Sequence, residues 1–236
     1  MRIETLTFVY NEQFLLPFYF KHYDFCDKFN IIYDTDSTDK TLELLQNNPK
    51  VNIIPFTFPD GMDDQLKTNK INSFYKTLPE GLKIFCIDAD EFIFVNKDIL
   101  KTFDVNCIIV DLYNIYRNIT EKDLDINIPV MNQRKHGELL SIYKKPIIVK
   151  SGLSLSWGVG NHTISGVNPV EINIQGAHWS NADLSFCIER RVKNRMLRQS
   201  KYNLEHGLTI QHHGITEQDV IDECKKHEND PEVFNV

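Results

Sequence analysis

The sequence predicts a mixed α/β fold: a mostly parallel central sheet flanked by helices, continued by mixed strands and helices in the C-terminal half. Three observations predict it. Apolar runs rich in branched and aromatic residues alternate with helix-like segments from Ile3 to Phe92. Three of these runs close on polar, acid-rich stretches: Asn11-Glu12, Asp34 to Asp39, and Asp88 to Glu91. Beyond Phe92 the pattern shifts to longer alternating runs with long loops between them. A β-α-β-α-β-α-β order implies right-handed crossovers and parallel strands. All three acidic ends then share one edge of the sheet, where α/β folds bind ligands.

The elements follow in order. Ile3 to Tyr10 reads as a strand. Phe14 to Phe25 carries Leu15, Leu16, Phe18, Tyr19 and Tyr23 at near-helical spacing, with Pro17 early enough for a first turn. Phe29 to Tyr33 is a second strand. Ser37 ahead of Lys40-Thr41-Leu42-Glu43-Leu44-Leu45 predicts an N-cap and a helix, ended by Asn47-Asn48-Pro49. Val51 to Phe58 is a third strand, Asp63 to Leu78 a helix, and the run from Lys83 a fourth strand. Cys107 to Tyr116, Ser141 to Lys150 and Val170 to Ala177 read as antiparallel or mixed strands, the middle one interrupted by Lys144-Lys145-Pro146. The polar stretch Ile119 to Gln133 is expected as a mobile loop over the site. Ser180 to Asn203 is expected as one long helix, and Thr216-Glu217-Gln218-Asp219 as a capping pattern opening a helix to His227.

Composition bounds the function. At 236 residues the chain has room for one large domain, and a formal charge of −7 argues against a general nucleic-acid binder. No apolar run approaches membrane-spanning length. Met1-Arg2-Ile3-Glu4-Thr5 lacks a signal-peptide pattern. The five cysteines are scattered, with no C-x-x-C pair, which suggests a reduced, cytoplasmic compartment.

The chemistry concentrates at Lys83-Ile84-Phe85-Cys86-Ile87-Asp88-Ala89-Asp90-Glu91-Phe92. A buried strand that runs into three carboxylates must solvate them, pair them or bind a cation. Asp88 and Asp90 are two apart and point the same way in extended geometry. Two hard oxygen donors suit Mg²⁺ or Mn²⁺. Glu91 reads as a supporting partner or a helix N-terminal acid.

These stretches resemble a family 2-type glycosyltransferase of the GT-A, Rossmann-like fold. The carrying residues are Tyr10-Asn11-Glu12, Asp34-Thr35-Asp36-Ser37-Thr38-Asp39 and the DxD motif Asp88-Ala89-Asp90-Glu91-Phe92. The resemblance covers about the first hundred residues, and extends more loosely to Trp157-Gly158-Val159-Gly160-Asn161-His162 and His178-Trp179-Ser180. It implies a single GT-A domain over 1–236, with 1–92 the nucleotide-binding half and 93–236 the acceptor-side half. It further implies a nucleotide-sugar donor, expected to be UDP-linked, held by Tyr10, Asn11, Glu12, Asp34, Asp88, Ala89 and Asp90, with Asp34 on the base. Mn²⁺ or Mg²⁺ would sit on Asp88 and Asp90 and bridge the diphosphate. The acceptor would be a glycan or glycolipid, and transfer would invert the anomeric centre.

His178 is weighed as a third metal ligand against a packed core histidine. An inverting transfer needs a base on the acceptor side. Asp111, His136, Glu138, His162 and Asp183 are candidates, and His162 in its glycine turn is chosen because its intrinsic pKa suits proton transfer. His212-His213-Gly214 reads as surface. Arg190, Arg191, Lys193, Arg195, Arg198 and Lys201, within Glu189 to Lys201, carry three readings: a solvated face, a phosphate clamp, or a peripheral contact with an anionic lipid-linked acceptor. Two rival functions remain. One is a non-catalytic nucleotide-sugar-binding domain. The other is an aspartate-based phosphohydrolase, disfavoured because its DxD normally follows the first strand.

Overall fold

The computed structural model describes residues 2–208 and 213–234. Its centre is one eight-stranded mixed sheet, parallel over its first four strands, with helices on both faces. The first half builds β1 (Ile3–Val9), α1 (Leu16–His22), β2 (Lys28–Asp34), α2 (Thr41–Gln46), β3 (Val51–Phe56), α3 (Asp64–Tyr75) and β4 (Lys83–Cys86). The second half adds β5 (Glu91–Ile93), α4 (Lys97–Thr102), β6 (Cys107–Tyr116), β7 (Gly137–Lys150), β8 (Ser156–Trp157), β9 (Ile164–Ser165), β10 (Val170–Asn181), α5 (Leu184–Ile188), α6 (Lys201–Glu205) and α7 (Glu217–His227). The strand order is β3-β2-β1-β4-β7-β6-β10-β5, and β8 and β9 form a separate hairpin.

Strand alternation sorts the core into layers. In β1 all seven residues are buried. Ile3 and Val9 face Leu16, Tyr19 and Tyr23 of the α1 side, whereas Leu6 and Phe8 face Ile71 and Tyr75 of α3. Phe85 in β4 is fully buried against the rings of Tyr23 and Phe25. Truncating it to Ala would cost about 3–5 kcal/mol. α3 starts where Asp63 accepts a hydrogen bond from Leu66 N, a side-chain cap.

The order β2-β1-β4 places the C-terminal ends of β1 and β4 side by side where the chain reverses direction across the sheet, the place where open α/β sheets take ligands. The register of the second half completes the site. His178 of β10 lies opposite Glu91 of β5 on one side and Asn114 of β6 on the other.

Four local expectations change. Ser37 does not cap α2: its hydroxyl donates to Asp34 O, and Asp39 Oδ1 accepts from Thr41 N instead. Lys144-Lys145-Pro146 does not interrupt β7; a register shift opposite Ile108 and Ile109 absorbs the proline. The expected long helix from Ser180 to Asn203 is broken. Ser180 and Asn181 end β10, Asp183 caps α5, and Glu189–Arg195 forms a π-helical turn. Met196–Arg198 tightens to a 3-10 turn, and Gln199 is extended before Ser200 caps α6. The stretch Ile119 to Gln133 packs beside α1, where Lys21 Nζ donates to Ile126 O, and Arg134 ties down its end by donating to Lys122 O and Ala182 O. It lines neither cavity described next.

Candidate active site

A cavity of about 350 Å³ opens beyond the C-terminal end of β4, with Asp88, Asp90, Lys67, His162 and His178 in its wall. A smaller one of about 40 Å³ adjoins it, walled by Tyr10, Glu12, Asp34, Arg190 and Arg198. Met62, Lys67, Asp88 and Arg195 belong to both, so the two form one trench.

The acids after β4 do not continue as a strand. The chain turns at Asp88–Asp90, with Glu91 N donating to Asp88 O, and restarts as β5 on the far side of β10. The two carboxylates therefore diverge instead of sharing one strand face. Asp88 meets Lys67 Nζ at 2.9 Å and Lys145 Nζ at 3.4 Å. Asp90 Oδ2 meets Arg190 Nη1 at 2.7 Å and His178 Nε2 at 3.2 Å. Glu91 braces the turn: its Oε2 accepts from Asp88 N, and its Oε1 pairs with buried Lys145. Burial works against ionisation of Asp88, yet Lys67 and Lys145 hold it well below the usual carboxylate range. Burial also opposes the charge of Asp90, and Arg190 with His178 overcomes it in the same way. Burial opposes the charge of Lys145 too, and Glu91 with Asp88 keeps it protonated.

Asp90 is 1% exposed, and neither of its oxygens receives an aligned hydrogen bond; the Arg190 contact is an ion pair without hydrogen-bond direction. The ring of His178 has its Nδ1 3.2 Å from Asn114 Oδ1. Asn114 Nδ2 donates to Tyr116 Oη, and Tyr116 Oη donates in turn to Glu223 Oε1. This chain fixes the Asn114 oxygen toward the ring, so Nδ1 donates to it and Nε2 is the ring nitrogen that faces Asp90. An imidazole held by such a partner has the orientation that metal-ligating histidines use. Among the described residues no three His, Cys, Asp or Glu side chains converge as a ready-made cage. A Mg²⁺-like ion needs only one or two carboxylates, with substrate phosphates and water for the rest. Asp90, whose Oδ2 it would share with Arg190, and Nε2 of His178 are donors of the kind such an ion takes, with Asp88 beside them.

At the other end of the trench Asp34 is fully buried. Its Oδ1 accepts from Asp36 N, and its Oδ2 meets Arg198 Nη2 at 3.0 Å. The Arg198 guanidinium stacks over Tyr10 at 3.6 Å from the ring centroid. Burial raises Asp34 above its ordinary value, against the pull of the Asp36 N–H and Arg198. Glu12 pairs with Arg190 at 3.1 Å, and burial pushes its carboxyl up to about 7 against that partner.

Two residues expected to bind donor lie off the cavity walls. Asn11, at φ 50°, spends its side chain on Thr38 and Asn194 and clamps the ends of β1 and β2 together. Ala89 is packed into the core. Of the five base candidates only His162 lines the trench. Asp111 pairs with Lys144, His136 with Asp230 O, and Asp183 caps α5; Glu138 lies in β7 opposite Asn114. His162 follows a turn in which Gly160 takes φ 74°, a conformation that favours glycine, and a Cβ there would crowd the ring at 3.0 Å.

The basic segment is not a solvated face. Arg190 and Arg191 are buried, and Arg195 and Arg198 line the trench; Lys193 and Lys201 stay exposed. Lys67, Lys145, Asn114, Tyr116 and Glu223 carry no motif and were not foreseen. Only a lysine inside an apolar strand, as at Lys145-Pro146, hinted at a buried partner. His212 lies outside the described residues. No helix among the described residues is long and apolar enough to cross a membrane.

No protein-family model matches the chain, and no curated protein matches it. Solved structures do match. One is 4-diphosphocytidyl-2C-methyl-D-erythritol synthase from Anaerococcus prevotii, at 9% identity over 63% of this chain and 70% of that one, with a TM-score of 0.32. HddC from Yersinia pseudotuberculosis matches at 14% identity over 70% and 75%, with a TM-score of 0.30. A Bacillus anthracis protein provisionally assigned as a glucose-1-phosphate thymidylyltransferase, in complex with sucrose, matches at 9% identity over 64% and 69%, with a TM-score of 0.31. Likenesses of this degree identify neither a family nor an activity.

Proposed function

We propose that the protein is a single-domain glycosyltransferase that moves a sugar from a nucleotide donor, UDP-linked, to a hydroxyl of a glycan or glycolipid, with inversion. The observation that supports this reading is the continuous trench, with an aromatic and a buried acid at one end, clustered cations at its middle and two histidines at the other.

Each part has a role on this reading. Tyr10 and Asp34 take the nucleoside. Lys67 and Arg195, present in both cavities, compensate the diphosphate as it departs. Asp90, His178 and Asp88 would hold Mn²⁺ or Mg²⁺, which supplies neutralisation of the leaving diphosphate. Arg190 bridges Asp90 and Glu12 and compensates both charges. His162, on the roomier side, removes the proton of the acceptor hydroxyl.

The test is release of nucleoside diphosphate from a panel of UDP-, GDP- and dTDP-sugars with Mn²⁺ and mixed sugar acceptors. Turnover with one donor supports the reading. Binding without any release, to the sugar or to water, would make the chain a nucleotide-sugar-binding domain instead.

A further inference from the structure

The trench is open at one end and shut at the other. About 350 Å³ is free around His162 and His178, but only about 40 Å³ remains beside Tyr10 and Asp34. Small-molecule sites run to roughly 300–1,000 Å³, so a nucleoside does not enter the closed end as it stands. What closes it is a short strap, residues 196–200. Arg198 lays a flat cationic group face-on over Tyr10 and hydrogen-bonds the buried Asp34. That is the pair of contacts, a stacking face and an edge bond, by which a planar base would be read. Asp36 supplies a second carboxylate, 3.4 Å from the same nitrogen. The strap is fastened at its root by two backbone bonds, Met62 N to Arg198 O and Ser200 N to Met62 O. Its outer side chain, Leu197, is 71% exposed. The regular α-helical path is already broken by the π-helical turn before it and by the extended Gln199 within it.

We infer that residues 196–200 form a gate over the nucleoside pocket, in which Arg198 occupies the place of the base until a nucleotide displaces it. This rests on the proposed nucleotide-binding function. Closure keeps Asp34 paired in the empty protein, since an unpaired buried carboxylate is costly. It also lowers apparent nucleotide affinity by the fraction of molecules that stand open.

Two measurements test the gate. Hydrogen exchange in the absence of nucleotide reads the latch alone: Arg198→Ala should speed exchange of the Met62 and Ser200 amides, with the strands of the sheet unchanged. Unchanged exchange at both amides would overturn the gate whatever the protein binds. Calorimetry with UDP reads its consequence: Arg198→Ala should bind about tenfold more tightly than the wild type. Weaker binding by the variant would make Arg198 a donor contact and overturn the gate. As a second variant, Met62→Cys/Gln199→Cys joins a pair already bridged backbone to backbone. Oxidised, it should lose UDP binding and regain it on reduction; equal binding in both states would count against a moving strap. Loss of UDP binding by the wild type and every variant, with faster exchange still seen in Arg198→Ala, would overturn the nucleotide reading and leave the latch standing as a structural fact.

Discussion

Nε2 of His178 lies 3.2 Å from Asp90 Oδ2, while Nδ1 of the same ring lies 3.2 Å from Asn114 Oδ1. One imidazole thus joins the acidic turn after β4 to a polar chain that runs through Asn114 and Tyr116 to Glu223 on α7. Sheet register makes this possible, because His178 has Asn114 and Glu91 as its two cross-strand neighbours. The ring's orientation is therefore set by strand pairing and not by a loop.

Asn114→Leu removes the acceptor that orients His178 while leaving the ring in place. Loss of such a partner typically costs about 10–100-fold in metal affinity. Calorimetry should show Mn²⁺-dependent UDP affinity falling by that amount, with the melting temperature changed little. Wild-type affinity in the variant would show that Asn114 does not act through the ring.

Lys145→Met strands the buried Glu91 and takes from half-buried Asp88 one of its two ammonium partners, leaving it Lys67. Removing one member of a buried charged group costs about 3–5 kcal/mol. Urea denaturation should register a loss of that size. A loss under about 1 kcal/mol would mean that the acids find other partners or protonate without penalty.

His22 carries a pH-dependent stability. Burial pushes its imidazole down to about 4, against a backbone bond to Ile93 O, while the unfolded chain keeps about 6.5. Below about 6.5 the unfolded state binds a proton that the folded state refuses, so stability falls as pH falls and levels off near 4. At pH 5 the loss is roughly 2 kcal/mol, at about 1.4 kcal/mol per pH unit. His22→Phe should flatten the stability curve between pH 7 and 5. An unchanged slope would place the acid sensitivity elsewhere.

His162→Ala should lower turnover by about 10²-fold or more, the scale of a lost general base. Donor affinity should stay near wild type. Equal turnover would exclude His162 from proton removal and leave no sequence-derived candidate on the trench wall.

Much of the first half was legible because its signals are local. β1, β2 and β4 are short apolar runs closing on acids, and the β-α alternation fixes their order in the sheet. The trench was legible only in part. Asp88, Asp90, Asp34, Tyr10, Glu12, His178 and His162 all line it, whereas Asn11 and Ala89 lie off its walls. What sequence spacing did not convey is charge compensation across the fold. Lys67, Lys145 and Arg190 come from α3, β7 and the π-helical turn, and meet Asp88 and Asp90 only after the sheet has assembled. The broken helix had the same cause. Periodicity placed Arg190, Arg191 and Arg198 on one continuous helix, whereas their pairing with Asp90, Glu12, Glu223 and Asp34 draws them inward.

The most direct test titrates UDP into wild type and Asp90→Asn, each with and without Mn²⁺. The substitution removes a charge beside Arg190 and His178 without opening a cavity, so the fold should persist, as a melting curve will show. The glycosyltransferase reading predicts that Mn²⁺ strengthens UDP binding in the wild type and that the variant loses that dependence. Equal Mn²⁺-dependent affinity in both proteins would contradict it.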